Sequence, residues 1–330
     1  MRWKKLLVRD TAADPPANQK NLSLLLQIRN DFSAILEPAV KSAAERAGYT
    51  LNAVNAYASP GLQLEQLRGA KRRGEEAVIV NLADPVHPQD ILEEAGDMKV
   101  VFLNHVPADL SVLKKNAIFV GPNDEKIGKI QGDWLVKYFK DKGQNQIKYI
   151  LLQGIPDWPT TILRSKFAVQ ALADGGLQAT LAAPPVVADY DFDEARMKMI
   201  KLLNSGIQFD AIISNNDEMT LGAIEAFENL GMDPSKVAIV SVNATPATME
   251  ALREKKLSMT VFQDVRAQGS VAIAAITNML AGKPFDQGLG FAVSSDNPYV
   301  VYVPLDVVSK THIPPKLYFE DLKTHLPFQT

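Results

Sequence analysis

The fold is decided by the stretch Ala211-Ile-Ile-Ser-Asn-Asn-Asp-Glu-Met-Thr-Leu-Gly222. Its first three residues predict the end of a buried strand, and residues 214–217 predict a short polar turn. From Glu218 onward, apolar residues recur at about 3.6-residue spacing, which predicts a helix with one buried face. In an open α/β sheet, small ligands bind beyond the carboxyl ends of the strands. The side chains of Asn215 and Asn216 therefore have two interpretations, helix capping or ligand binding.

The same alternation of strands and helices continues outward from this stretch. Before it, strands are predicted near 22–28, 51–54, 77–80, 100–103, 117–120, 149–152 and 179–183. After it, strands are predicted near 237–242, 257–262 and 299–303. Helices fall between them, and the pattern restarts with an amphipathic helix over 124–139. This rhythm predicts βαβ units on parallel sheets, in two similar halves of about 100–140 residues.

Composition narrows the class of protein. A chain of 330 residues with 46% apolar residues is long enough for two domains of ordinary size. The net charge is -3 and basic residues form no stripe, which argues against a nucleic-acid partner. The chain has no cysteine, so it has no disulfide, no thiolate metal site and no cysteine nucleophile.

The N-terminal residues begin like a targeting signal but do not complete one. Residues 1–5 are basic, but only Leu6, Leu7 and Val8 follow before Arg9. A secretory signal needs roughly 7–15 apolar residues there, so we expect no intact signal peptide and a trimmed mature form. Residues 1–21 are predicted to be a flexible lead-in. No run approaches the roughly 20 apolar residues of a membrane span.

Signatures of catalysis are missing from the sequence. The four histidines are scattered, with none at ligand spacing from another. No phosphate-binding glycine loop and no Gly-x-Ser-x-Gly motif occurs. The acidic residues fall mainly on predicted helix faces and loops, which predicts solvated side chains. We therefore expect no enzyme, no cofactor and no metal site.

Polar and aromatic side chains accumulate where the predicted strands end. In the first half these are Arg29, Asn30, Phe32, Asn104 and His105, and in the second half they are Trp158, Arg164, Tyr190, Asn215, Asn216, Asn243 and Gln263. Taken singly, most have a structural interpretation, such as core packing for Phe32, capping for Asn243 and solvation for Arg164. Together they supply amides, a guanidinium and aromatic rings, which suit a neutral, hydroxyl-rich ligand.

Several motifs carry a resemblance to a known family. The strongest is Asn215-Asn-Asp-Glu-Met-Thr-Leu-Gly-Ala223. Supporting segments are Gly121-Pro-Asn-Asp124, Ile127-Gly-Lys-Ile-Gln-Gly132, Leu152-Gln-Gly154, Ala188-Asp-Tyr-Asp191 and Asn243-Ala-Thr-Pro246. In content and order they resemble the periplasmic sugar-binding proteins of ribose-binding type, whose core is shared with the lactose-repressor family. The similarity covers nearly all of residues 22–312.

The resemblance implies two Rossmann-like lobes with parallel sheets flanked by helices, joined by three chain crossings and closing on a ligand between them. The crossings are expected near 121–123, 263–264 and 294–297. The first lobe is then 22–121 plus 264–294, and the second lobe is 122–263 plus 295–313. Residues 314–330 extend beyond the family's usual end, either as a tail packed on the second lobe or as a partner-docking segment.

The resemblance also implies the ligand-contacting residues. The set implied by the family's positions is Asn30, Phe32, Asn104, His105, Arg164, Tyr190, Asn216, Asn243 and Gln263, and Trp158 is added as a candidate specific to this sequence. Within the opening stretch, Asn216 is the ligand candidate, Asp217 is expected to cap the helix, and Asn215 is left undecided. Arg164 matches the family's cleft arginine when counted from Gly154, whereas counting back from Phe167 places the match on Leu163.

Three positions depart from the family pattern. Asn104 and His105 stand where the family has an Asp-Arg pair, and Asn243 stands where it usually has Asp. A carboxylate bonds a hydroxyl more strongly than a neutral amide does, so weaker binding or a different ligand is expected. Trp158 is not typical of the family and has two interpretations, a cleft wall or a packed loop residue.

Three functions follow as alternatives. The first is an extracytoplasmic, monomeric solute-binding protein that delivers a monosaccharide or polyol to an ABC permease. The second is a binding protein that signals to a membrane kinase or chemoreceptor. The third is the effector core of a transcription regulator, which needs about 60 residues of DNA-binding segment before the first strand, whereas about 21 precede Leu22.

Overall fold

The computed structural model describes residues 20–313, which form two α/β units, here called the first and second lobes. The strands are β1 Lys20–Leu26, β2 Tyr49–Asn55, β3 Ala77–Val80, β4 Lys99–Leu103, β5 Ala117–Gly121, β6 Gln146–Gln153, β7 Gln178–Leu181, β8 Val186–Val187, β9 Ala211–Ser214, β10 Ala238–Asn243, β11 Met259–Gln263, β12 Val300–Tyr302 and β13 Leu305–Ser309. The helices are α1 Asp31–Arg46, α2 Pro60–Arg72, α3 Pro88–Ala95, α4 Asp124–Lys140, α5 Pro159–Asp174, α6 Phe192–Asn204, α7 Asp217–Asn229, α8 Pro246–Arg253 and α9 Val265–Leu280. Short 3₁₀ turns occur at Leu110–Val112 and Pro234–Lys236.

The first lobe is built on a six-stranded parallel sheet in the order β12-β5-β4-β3-β1-β2. Helices α1 and α9 pack on one face, with Val40 and Ile276 in the same apolar core. Helices α2 and α3 cover the other face, where Leu67 and Ile91 are buried. Because both faces are covered, the central strands are continuous apolar runs rather than alternating ones.

The second lobe contains a seven-stranded sheet in the order β13-β11-β10-β9-β6-β7, with β8 also paired to β6. All pairs are parallel except that of the edge strand β13 with β11. Helices α4 and α5 pack on one face, and α6, α7 and α8 pack on the other. The prediction of two parallel-sheet α/β lobes with flanking helices is thereby confirmed.

The chain passes between the sheets at three places in the described residues. It leaves the first sheet after β5, returns after β11, and leaves again between β12 and β13. The third crossing differs from the expectation of 294–297, because the apolar strand β12 pairs with β5 and extends the first sheet. Residues 295–302 therefore belong with the first lobe, and the crossing falls at 303–304.

Both predicted terminal segments lie mostly outside the described residues. Lys20 and Asn21, placed in the predicted lead-in, instead begin β1 and pair with Tyr49 and Thr50. The predicted extension 314–330 lies wholly outside the described part of the chain.

Candidate functional site

A cavity of about 200 Å³ lies between the two lobes. All ten side chains expected to contact ligand line it, together with Gln27, Ile28, Ala58, Ile155, Thr160, Asp189, Asp191 and Glu218. The fold brings them together because most of them follow a strand end or open a helix, while Arg164 lies in the second turn of α5. Pockets for drug-sized ligands are roughly 300–1,000 Å³, so this cavity suits a single small ring.

Arg164 is anchored at the base of the cavity by a buried ion pair. Its Nε donates to Asp124 Oδ1 at 2.7 Å, and its Nη1 donates to the Asn215 carbonyl at 2.7 Å. Thr160 Oγ1 donates to the other oxygen of Asp124 at 3.1 Å. Arg164 is buried, so the interpretation as a solvated helix residue does not hold. Of the two residues that could match the family's cleft arginine position, Arg164 lines the cavity and Leu163 does not.

Close packing of α4 on α5 places this ion pair. A Cβ added to Gly128 would lie 2.4 Å from the Arg164 carbonyl oxygen, and one added to Gly132 would lie 2.4 Å from that of Ala168. Any side chain at these positions would therefore push the helices apart. The two glycines, one helical turn apart on α4, let the backbone of α5 approach and bring Arg164 within reach of Asp124.

The residues of the polar turn at 214–217 differ from the expectation in which one caps the helix. Asn216 is the N-cap of α7, since its Oδ1 accepts from the Met219 N–H at 3.0 Å. Its Nδ2 makes no hydrogen bond within residues 20–313, and the side chain lines the cavity. The expectation that Asp217 caps the helix is wrong. Its carboxylate instead accepts hydrogen bonds from a ring of donors, Ser241 Oγ, Thr245 N, Thr248 Oγ1 and Thr260 Oγ1.

Asn215, left undecided from the sequence, has a structural role. It is fully buried, and its Oδ1 accepts from the Gly154 N–H at 3.2 Å while its Nδ2 donates to Ser165 Oγ at 3.2 Å. Two adjacent asparagines therefore act in different places, one tying strand ends together and the other facing the cavity. The reason is the alternation of side-chain direction where a strand turns into a helix.

Three amides form a chain along the cavity at the second crossing. Asn104 Nδ2 donates to Gln263 Oε1 at 2.9 Å, and Gln263 Nε2 donates to Asn243 Oδ1 at 2.8 Å. Asn104 adopts a left-handed φ of 67°, which asparagine tolerates better than most residues. Asn243 ends β10 and caps no helix, so the capping interpretation is not met. This row of three amides connects the end of β4 in the first lobe with the ends of β10 and β11 in the second lobe. It lies beside the crossing where the polypeptide returns to the first lobe.

Aromatic rings from both lobes meet at one wall. His105 and Trp158 are edge to face with ring centroids 5.2 Å apart, and Trp158 and Tyr190 lie 5.8 Å apart. Trp158 is buried and also lines the cavity, so it is at once a packed loop residue and part of the cavity wall. Phe32 likewise lines the cavity while it packs against the core of the first lobe.

Tyr190 is held in a strained conformation. Its φ is 63°, a region that costs an aromatic residue roughly 1–3 kcal/mol. Its hydroxyl lies 2.6 Å from Thr161 Oγ1, and burial raises the pKa of this phenol to about 12. The ring also covers Gly154, where an added Cβ would lie 2.1 Å from the ring. Such strain persists only where surrounding contacts fix it, which is common in binding sites.

Acidic residues at the cavity were missed from the sequence. Glu218, Asp189 and Asp191 line it, and burial, with Asp31 and Asp191 nearby, raises the pKa of Glu218 to about 7. The sequence pattern placed Glu218 in the first turn of a helix, where solvation is the ordinary expectation. The signal that could have identified it is its position two residues after Asn216, at a strand end that faces the other lobe.

The described residues offer neither a metal site nor a membrane-spanning helix. Within residues 20–313, no group of three or more histidine, aspartate or glutamate side chains is arranged to hold a metal ion. In the same range, no helix is long and apolar enough to cross a membrane.

Two parallel-sheet α/β lobes with a polar and aromatic cavity between them are the architecture of type I periplasmic binding proteins. Residues 24–284 match the family model described as periplasmic binding protein domain. The chain therefore belongs to the periplasmic binding protein domain family.

Similar proteins come from several bacteria. The chain is 27% identical over 289 residues to a D-galactose/methyl-galactoside binding periplasmic protein of Haemophilus influenzae, covering 84% of this chain and 86% of that protein. It is 25% identical over 257 residues to a ribose import binding protein of Escherichia coli, covering 78% and 83%. A solved ABC transporter solute binding protein from Bacillus halodurans, with bound myo-inositol, superposes with a TM-score of 0.73 at 26% identity, covering 90% of this chain and 96% of that one.

Proposed function

We propose that this protein is an extracytoplasmic solute-binding protein that captures a monosaccharide or cyclic polyol between its lobes and delivers it to an ABC permease. The observation that carries the proposal is the cavity, to which both lobes contribute side chains that bond hydroxyls and cover a ring. Arg164 and Asn216 supply donors, and Phe32, Trp158 and Tyr190 supply apolar faces. The role is one of binding rather than catalysis.

Capture works by closure of the lobes. A ligand stabilises the closed form only through contacts that the open form lacks. A ring in this cavity touches Asn30 and His105 of the first lobe and Arg164 and Asn216 of the second, so closure adds contacts on both sides. The three crossings are short, which suits a hinge that absorbs the motion in few residues.

Import is favoured over sensing by the names of similar proteins. One is named for ribose import and another for ABC transport, whereas neither name refers to a kinase or receptor. The protein acts as a monomer in this proposal, since one chain supplies both walls of the cavity.

Isothermal titration calorimetry tests the proposal with myo-inositol, D-allose, D-ribose and D-galactose, using L-leucine as a ligand of another class. We expect binding of one molecule per chain by at least one polyol and none by L-leucine. Asn216→Ser removes the cavity-facing amide and keeps a capping oxygen, so it should weaken binding at least tenfold. Asn229→Ser, at the exposed far end of the same helix, is the matched control. Binding of L-leucine and of no polyol would contradict the proposed substrate class.

A further inference from the structure

The hydrogen-bonding role of His105 is fixed by the backbone. Its Nδ1 lies 2.8 Å from the Leu82 carbonyl oxygen. A carbonyl oxygen only accepts, so Nδ1 carries a hydrogen. Burial, together with the positive charge of Arg164, lowers the pKa of the imidazole below its ordinary value of 6.5, although Leu82 and Asp124 oppose the shift. The ring is therefore neutral at pH 7, and its Nε2 carries a lone pair.

Two other side chains in the cavity offer hydrogen-bond donors, whereas His105 offers an acceptor. Asn216 Oδ1 is occupied by the backbone N–H of Met219, which can only donate, so Nδ2 is the atom left for a ligand. Arg164 has donors alone, and its Nη2 makes no hydrogen bond to any residue in 20–313. Both side chains are more than nine-tenths buried, and both line the cavity. These assignments rest on backbone or fixed-role partners and cannot be reversed by flipping an amide.

We propose that His105 is a specificity-determining residue whose Nε2 accepts a hydrogen bond from a ligand hydroxyl, while Arg164 and Asn216 donate to the ligand. This inference rests on the proposed function, since it assumes a polyol in the cavity. A hydroxyl satisfies His105 because it can donate. A carboxylate or ketone oxygen at the same point cannot, and it would shield the unpaired lone pair of Nε2 from water without bonding it. The site thus selects a hydroxyl at this point of the ring over an oxidised carbon.

The charged surroundings of His105 decide how the proposal is tested. Arg164 and Asp124 act on the imidazole directly, Trp158 packs against it, and Asp189, Asp191 and Glu218 share the cavity. Protonation of His105 turns Nε2 from an acceptor into a donor, so the ligand hydroxyl loses its partner. Affinity should then fall about tenfold per pH unit well below the pKa of His105.

Nuclear magnetic resonance of protein labelled with ¹⁵N-histidine reads the state of His105 without any ligand. Long-range ¹H–¹⁵N correlation at pH 7 should show the His105 ring as the neutral tautomer protonated on Nδ1, with its signals identified by their loss in His105→Gln and distinguished from those of His87, whose Nδ1 bonds Asp84. If His105→Gln does not fold, the variants His87→Gln, His312→Gln and His325→Gln assign the remaining signal by elimination. An Nε2-protonated ring or an imidazolium at pH 7 for His105 itself would overturn the inference.

Calorimetric titration of myo-inositol and D-allose between pH 8 and 5 gives the second readout. The background is Glu218→Gln, because Glu218 titrates near pH 7 and faces the same cavity. We expect affinity in this background to fall as pH drops through the lowered pKa of His105, and His105→Gln to abolish the fall while His87→Gln, an exposed control, leaves it. An unchanged acid limb in His105→Gln would overturn the inference. Failure of every polyol to bind would instead contradict the proposed function, so the two failures are distinguishable.

Discussion

The substitution Asp124→Asn should strongly destabilise the protein. The side chains of Arg164 and Asp124 are 5% and 1% exposed, and their atoms Nε and Oδ1 are 2.7 Å apart. Asparagine keeps the volume and one acceptor but leaves the buried guanidinium without a counter-charge. Breaking such a pair from one side costs about 3–5 kcal/mol. At roughly 2–4 °C per kcal/mol, the value for proteins of about 150–250 residues, the melting temperature should fall by about 6 to 20 °C.

A surface pair on the same helix provides the control. Asp133 accepts from Lys129 at 2.8 Å, but the two side chains are 52% and 61% exposed. Asp133→Asn should therefore cost less than about 1 kcal/mol. Urea denaturation, with the midpoint and slope fitted separately, measures both variants without ligand. Equal stability losses in Asp124→Asn and Asp133→Asn would refute the reasoning, because burial would then not decide the value of the pair.

Three further predictions follow from the site. Gly154→Ala should displace the Tyr190 ring, since the added Cβ would lie 2.1 Å from it, and weaken polyol binding more than tenfold by calorimetry; unchanged binding would contradict the fit. Asn216→Ala should weaken binding as Asn216→Ser does but also lower the unfolding free energy by about 1 kcal/mol, because only alanine removes the cap; equal stability of the two variants would show that the cap contributes nothing. Glu218 has a pKa raised from 4.5 to about 7, so the folded protein binds a proton there that the unfolded chain has lost, and stability from this group falls as pH rises through 7. The stability difference between wild type and Glu218→Gln should therefore change by roughly 1–2 kcal/mol between pH 5 and 8 after allowance for solvent screening, and a constant difference would contradict the shift.

The fold was predictable because strand and helix periodicities are local properties of the sequence. The opening stretch contains a strand, a turn and a helix start in order, and the structure has β9 and α7 there. The predicted position of the third crossing was wrong because it depends on strand pairing between residues distant in sequence. Nothing in residues 299–303 indicates which sheet the strand joins, because that depends on the exposed edge left by β5. Edge strand β13 was missed for the same reason.

The convergence of the predicted side chains on one cavity could be predicted from the sequence, but the contacts that each of them makes could not. All ten predicted side chains line one cavity, since strand ends converge by topology. The division of labour among Asn215, Asn216 and Asp217 depends on partners distant in sequence, such as Ser165 and Thr248. Pattern reasoning cannot supply those partners.

Charge states were equally inaccessible to sequence reasoning. The raised pKa of Glu218 and the lowered pKa of His105 both come chiefly from burial between lobes that meet only in three dimensions. The departures at Asn104, His105 and Asn243 indicated an altered ligand preference from the sequence. The structure adds that Nδ1 of His105 bonds the Leu82 carbonyl, which leaves Nε2 as the free nitrogen of a cavity-lining ring and gives the preference a chemical direction.

The measurement that tests the central claim most directly is a crystal structure of the protein grown with the polyol that binds in calorimetry. We expect density for one ring between the lobes, against Phe32 and Trp158, with Arg164 and Asn216 within hydrogen-bonding distance of its oxygens. Density for that polyol at another surface, with an interlobe cavity that holds only water, would contradict the claim that this cavity is the binding site.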